Sequence, residues 1–265
     1  MRAWRRARCE LLGFSSQRKR RRNDLLREFY SHAGAHPHGW GLARFPDGGA
    51  PLVEKEPVCA AHSAFLADLL ADPVEERALI AHIRLATVGH VEYENCHPFT
   101  AADNRGRTWT LAHNGTIFNG AHLNDYMGIQ YGDTDSERVL LHLVDRIDAA
   151  QNHRRRALDE AERFDVVSAT VAELARGNKL NLLVYDGEVL YAHCNFRDTL
   201  HVWREADAVA FSTRPLSVGT WEPVPFTSLV AAKDGEIVRT SPPHGHEYVY
   251  NPEDYRLVYM NFARL

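Results

Sequence analysis

Short apolar runs broken by turn residues mark the first part of the chain, residues 9–116, as rich in strands. Cys9-Glu10-Leu11-Leu12-Gly13-Phe14 is the first run. Leu79-Ile80-Ala81-His82-Ile83-Arg84-Leu85-Ala86 reads as a central strand, and Trp109-Thr110-Leu111-Ala112 as another. Helical segments interrupt at residues 24–32 and 60–70. The period then changes. A long helix is predicted over residues 135–149, because Val139, Leu140, Leu143, Val144 and Ile147 fall on one face. Thr134 and Glu137 before it have the S/T-x-x-E spacing of a capping box. Residues 165–176 predict a second helix with Val166, Val167, Val171 and Leu174 inward, and the polar stretch 152–162 reads as a surface excursion. Strands return afterwards: residues 181–185 and 188–194 flank Asp186-Gly187, a hairpin signal, and 209–213 with 229–238 around Asp234-Gly235 continue it. Strands, then helices, then hairpin-linked strands predict an α+β fold of antiparallel sheets with helices layered on them.

Composition narrows the class. At 265 residues and 45% hydrophobic content the chain can bury a full core as one domain. No run approaches the roughly 18 uninterrupted apolar residues that a membrane helix needs. The basic start Met1-Arg2-Ala3-Trp4-Arg5-Arg6-Ala7-Arg8 is not followed by a secretory apolar core, so a cytoplasmic protein without a membrane partner is expected. Cys9, Cys59, Cys96 and Cys194 form no C-x-x-C pair, so neither a metal site nor a disulfide framework is predicted, and no cofactor is indicated. The formal charge of −4 gives no global attraction to nucleic acid, and none is expected as a partner. The runs Arg18-Lys19-Arg20-Arg21-Arg22 and Arg154-Arg155-Arg156 read as solvated surface, a loop or the edge of a helix, in a chain whose only lysines are Lys19, Lys55, Lys179 and Lys233.

Candidate chemistry lies in an ordered set of short motifs. Cys9 opens the first apolar run, and downstream come His38-Gly39-Trp40-Gly41, His82-Ile83-Arg84-Leu85-Ala86-Thr87, His113-Asn114-Gly115 and Gly132-Asp133-Thr134-Asp135-Ser136-Glu137. A free thiol with a pKa of about 8.5 is only a few per cent ionised at neutral pH, so Cys9 as nucleophile needs a base beside it. A buried core cysteine is the other reading of that position. Asn114-Gly115 suits either a pair of oxyanion donors or an ordinary Asn-Gly turn. Arg84 stands in an apolar run, where a buried guanidinium needs an anion, either a ligand or an internal carboxylate. Asp135, in the first turn of the predicted helix, is electrostatically comfortable as a carboxylate.

In this order the motifs resemble those of the class II glutamine amidotransferases, which are N-terminal-nucleophile hydrolases. The resemblance implies the Ntn-hydrolase fold, a four-layer αββα sandwich of two antiparallel sheets. It makes Cys9 the nucleophile, with its own α-amine as base once Cys9 is the first residue. Asn114 and Gly115 become the oxyanion hole, Arg84 with Thr87 the site for the α-carboxylate of glutamine, and Asp135 the site for its α-ammonium group. Gly39 and Trp40 become part of the active-site wall. Asn119 and His97 lie in motif-like surroundings, and structural roles are expected for both. Leu85 and Val88 stand where synthase-linked members carry an aromatic residue and a histidine.

The expected protein is a stand-alone, single-domain amidotransferase spanning residues 9–265. Its substrate would be glutamine or a γ-glutamyl small molecule, and an acceptor or synthase partner protein is left open. No methionine lies between Met1 and Cys9, so Met1 to Arg8 is expected to be a propeptide or dispensable extension. An unprocessed N-terminus would point instead to a catalytically silent binding or regulatory subunit, or to His38 or His82 as the base.

Overall fold

The structure, a computed structural model, describes residues 9–254 and 256. Thirteen strands make two sheets in which every neighbouring pair is antiparallel. The strands are β1 (Glu10–Arg21), β2 (Trp40–Arg44), β3 (Leu52–Glu56), β4 (Glu75–Ile83), β5 (Phe99–Ala102), β6 (Thr108–Thr116) and β7 (Lys179–Tyr185). They continue with β8 (Leu190–His193), β9 (His201–Glu205), β10 (Ala208–Ser212), β11 (Trp221–Pro223), β12 (Leu229–Lys233) and β13 (Glu236–Thr240). The first sheet has the order β11-β9-β10-β1-β4-β2-β3, and the second β13-β12-β8-β7-β6-β5. Four helices pack on the sheets, α1 (Asn23–Ser31), α2 (Ala64–Ala71), α3 (Asp135–Arg154) and α4 (Glu160–Leu174).

Strand alternation divides the core into three layers. Leu12 and Phe14 of β1, with Leu42, Leu79 and Ala81, face outward against Leu25, Leu26 and Phe29 of α1 and Leu66 and Leu70 of α2. Leu11, Ile80, Ala112, Leu183, Leu190, Phe211 and Val230 fill the space between the sheets. Leu111, Leu180, Leu182 and Val184 carry α3 and α4 through Val139, Leu140, Leu143, Val167 and Val171. The result is the αββα sandwich. β1 lies at the centre of its sheet between β4 and β10, and its first residues pair with the last of both, Glu10 with Ile83 and Leu12 with Ser212.

Several local expectations are corrected. α4 begins at Glu160, with Asp159 accepting from the Glu162 N–H and the Glu162 side chain returning to Asp159, and α3 runs on to Arg154. The polar stretch 152–162 is thus mostly exposed helix end, because charged residues suit solvated turns as well as loops. Thr134 does cap α3 through the Glu137 N–H, but the Glu137 carboxylate accepts instead from the Tyr131 and Gly132 N–H groups. Arg18, Lys19, Arg20 and Arg21 are the far half of β1, not a loop or helix edge. Arg20 pairs with Asp207 and Glu205, and Arg18 with Asp207, so neighbouring carboxylates hold the basic run in a strand. Asn114-Gly115 is not a turn: both residues lie within β6.

Candidate active site

Cys9 directly precedes β1, and its thiol is half-buried against the chain beyond β4: the Leu85 N–H donates to Sγ at 3.2 Å, while Sγ lies 3.3 Å from the Leu85 carbonyl. Burial raises the thiol pKa, opposed by the Leu85 N–H and by the positive charges of Lys179 and Arg84. The strand start is firmly anchored beside it. Glu10 is buried, forms an ion pair with Arg214 at 2.8 Å and hydrogen-bonds His32 Nδ1 at 2.8 Å, and the Leu11 N–H donates to the Thr213 hydroxyl at 2.8 Å.

From the other sheet, Asn114 and Lys179 project from β6 and β7 on the interlayer face that also carries Ala112 and Leu183. Both are almost fully buried, and the Lys179 ammonium donates to Asn114 Oδ1 at 2.7 Å. An ammonium can only donate, so the amide is oriented with its NH2 group away from Lys179. That group, Nδ2, is buried and has no hydrogen-bond partner among the described residues. Gly115 has no room for a side chain, because a Cβ there would lie 1.9 Å from His113 Nε2 and 2.0 Å from the Lys179 carbonyl.

Arg84 follows β4 instead of lying in it, a correction to the reading of residues 79–86 as one strand. The chain leaves the sheet and wraps its own guanidinium, which donates to the carbonyls of His90 at 2.8 Å, Val88 at 3.1 Å and Gly89 at 3.2 Å. This loop is latched to the turn before α3, where Asp133 accepts from the His90 N–H and from Asn95 Nδ2. Thr87 is half-buried within it. Asp135, at the first position of α3, is 7% exposed and accepts from the Ile117 N–H at 2.8 Å, which ties the helix start to the end of β6. Among the described residues neither Arg84 nor Asp135 has an ion-pair partner within 4 Å. A buried cation and a buried anion, each held mainly by backbone groups, are suited to a zwitterionic ligand.

Gly39 accepts the Arg84 N–H at 2.8 Å and has a φ of 145°, with Cys96 Sγ 2.8 Å from where a Cβ would stand. The Trp40 side chain points away from the interlayer face, into the outer layer beside Tyr30 and Phe65, with its indole N–H on Glu56. His82 and His97 pack in the interior with ring centroids 4.2 Å apart and tilted by 36°, and burial pushes both well below the ordinary histidine value. His38 Nδ1 already accepts the Ala86 N–H at 2.9 Å. Asn119 lies in the turn after β6, where its N–H donates to Asn178 Oδ1 at 2.7 Å. The sequence reading missed Lys179, Glu10, Thr213 and Arg214. A lysine opening an apolar strand was a faint signal for the first, and none existed for the others.

The family model described as "Glutamine amidotransferases class-II" matches residues 8–208. Uncharacterized protein MJ1515 of Methanocaldococcus jannaschii is 33% identical over 192 residues, covering 71% of this chain and 51% of that protein. YafJ of Escherichia coli strain K12 is 32% identical over 194 residues, covering 71% of this chain and 73% of that one. The chain therefore spans about half the length of the Methanocaldococcus protein. The structure of glutamine phosphoribosylpyrophosphate amidotransferase from Bacillus subtilis superposes with a TM-score of 0.64 at 16% identity, over 88% of this chain and 49% of that one, a likeness of fold.

Proposed function

The chain belongs to the class II glutamine amidotransferase family, and we propose from this premise that it cleaves the γ-amide of glutamine, or of a small γ-glutamyl compound, through a thioester on Cys9. The α-amine of Cys9, freed when the peptide bond before it is cut, takes the thiol proton. The sulfur then adds to the amide carbonyl. The oxyanion accepts from Asn114 Nδ2 and the Gly115 N–H, and its collapse expels ammonia, which leaves with the proton from the amine. Water next attacks the thioester, giving a proton to the amine, and glutamate or the corresponding γ-carboxylate departs as the thiol is restored. Ammonia is released to solvent or passed to an acceptor or synthase partner.

The observation that carries this reading is the buried Asn114 amide, held by Lys179 with its donor end unpartnered among the described residues, together with a thiol that feels the same lysine. Arg84 and Asp135 would take the α-carboxylate and α-ammonium of the substrate, with Thr87 and Gly39 lining the pocket and Trp40 contributing backbone. Met1 to Arg8 lie outside the described residues, and their removal, leaving one domain from Cys9 onward, is part of the proposal. Burial holds His82 well below the ordinary histidine value, which makes it a weak base, and His38 Nδ1 already accepts the Ala86 N–H.

The test is glutamine hydrolysis by purified single variants. Cys9→Ala should be inactive and folded, whereas Cys59→Ala, Cys96→Ala and Cys194→Ala should keep activity. A Cys9→Ala protein that hydrolyses glutamine at the parent rate would overturn the mechanism.

A further inference from the structure

On the outer face of the second helix layer, three side chains from three different elements converge without a use in amide hydrolysis. His122 stands in the 3-10 turn Ala121–Tyr126, His142 in the middle of α3, and Glu173 near the end of α4. One ligand atom from each lies within 4.8 Å of the other two, with the two imidazole rings 5.1 Å apart at 65°.

Hydrogen-bond logic fixes the state of His142. The Tyr126 hydroxyl donates its one proton to Asp145 Oδ2 at 2.8 Å, because an ionised carboxylate can only accept. The same oxygen lies 3.3 Å from His142 Nδ1, so it must accept there, and the neutral ring carries its proton on Nδ1. The other nitrogen, Nε2, then presents a lone pair. It is buried, has no hydrogen-bond partner among the described residues, and faces Glu173 Oε1 at 3.9 Å. Two acceptors pointed at each other repel unless a cation stands between them.

We propose that His122, His142 and Glu173 form a binding site for a borderline divalent metal ion, best matched by zinc. Two imidazoles and a carboxylate are a zinc donor set, whereas magnesium and calcium prefer oxygen ligands throughout. The Asp145–Tyr126–His142 chain is the outer support that metal-bound histidines commonly have, orienting the ring and raising its basicity. Metal–ligand bonds of about 2.1 Å place ligand atoms roughly 3.4 Å apart around a tetrahedral ion. The side chains must therefore close by up to roughly 1.4 Å, which the exposed His122 and Glu173 can supply by rotation. Glu173 Oε2 is 3.8 Å from Arg146, leaving Oε1 for the metal. The ion would clamp the 3-10 turn, α3 and α4 to one another, and a fourth position would remain for water.

The experiment is calorimetric titration of zinc chloride into the chelator-stripped full chain, beside His122→Ala, Glu173→Ala and Tyr126→Phe. The parent should bind one equivalent that each ligand variant loses or binds at least tenfold more weakly, while magnesium gives no heat at the same concentration. Loss of the outer support in Tyr126→Phe should weaken zinc by roughly 10- to 100-fold without unfolding the chain. Zinc should raise the melting temperature of the parent and not that of Glu173→Ala. No zinc binding by the parent, or equal binding by parent and both ligand variants, would overturn the site.

Discussion

At Asn114 one hydrogen bond from the Lys179 ammonium decides which end of the amide is left free, and the free end is a donor. In the proposed mechanism that donor meets charge only after the thiol has attacked, so its removal should act on kcat more than on KM. Asn114→Ala should lower kcat by about 10²- to 10³-fold with KM little changed, as loss of one oxyanion donor does elsewhere. Steady-state glutamine hydrolysis checks this, and a KM effect alone would assign Asn114 to ground-state binding. Lys179 has a second effect separable by pH. Its positive charge lowers the Cys9 thiol pKa against the burial that raises it, so Lys179→Met should move the acid limb of kcat/KM to higher pH. Asn114→Ala carries no such charge change and should leave the limb in place. Arg84→Ala and Asp135→Ala should each weaken γ-glutamyl substrates by roughly 2–5 kcal/mol in kcat/KM, since each strands a charged substrate group in a dry pocket. Near-normal kcat/KM in either would mean that the head group is held elsewhere.

Among the elements, β1 and β2 show how little space the first sheet leaves near the site. A Cβ on Gly41 would sit 1.9 Å from the His97 carbonyl, which cannot move without displacing the chain before β5. Gly41→Ala should therefore cost about 1–3 kcal/mol in urea unfolding, as overpacking of a filled core does. An unchanged midpoint would show that this contact yields. The same elements mark what could be read beforehand. Apolar runs placed β1, β4 and β6, and the Val139–Ile147 face placed α3, because burial imposes these periods directly. Asp186-Gly187 marked the β7–β8 turn for the same local reason, with Gly187 at a φ of 92°. The sequence did not reveal that Arg84 falls outside β4, since an apolar run does not record where the backbone leaves a sheet to wrap a side chain. It did not reveal Lys179 either, which matters only because β6 and β7 pair Thr116 with Lys179 and bring the ammonium beside Asn114. Glu10 and Arg214 are some 200 residues apart and meet only through the β1–β10 pairing.

Across the whole molecule, burial pushes interior histidines below the ordinary value: His82 and His97 well below it, His113 down as well, and His193 to about 3. The unfolded chain binds protons at these residues from a pKa near 6.5, while the folded chain does not. Stability is therefore fully present above that value and falls as pH drops toward the folded pKa, by about 1.4 kcal/mol per pH unit for each histidine. Most carboxylates titrate lower, near pH 4, so the urea midpoint should fall clearly between about pH 7.5 and about pH 5. A flat midpoint over that range would mean that the interior admits the charged rings. The family assignment and the αββα sandwich leave one claim on which the proposed chemistry depends: that Cys9 carries both the thiol and the base. The most direct measurement is intact-mass and peptide mapping of active protein after reaction with a glutamine analogue bearing an electrophile. One adduct is expected, on Cys9, in a chain whose first residue is Cys9. An adduct on a chain that still carries Met1 to Arg8 in stoichiometric amount, or on Cys59, Cys96 or Cys194 instead, would contradict it.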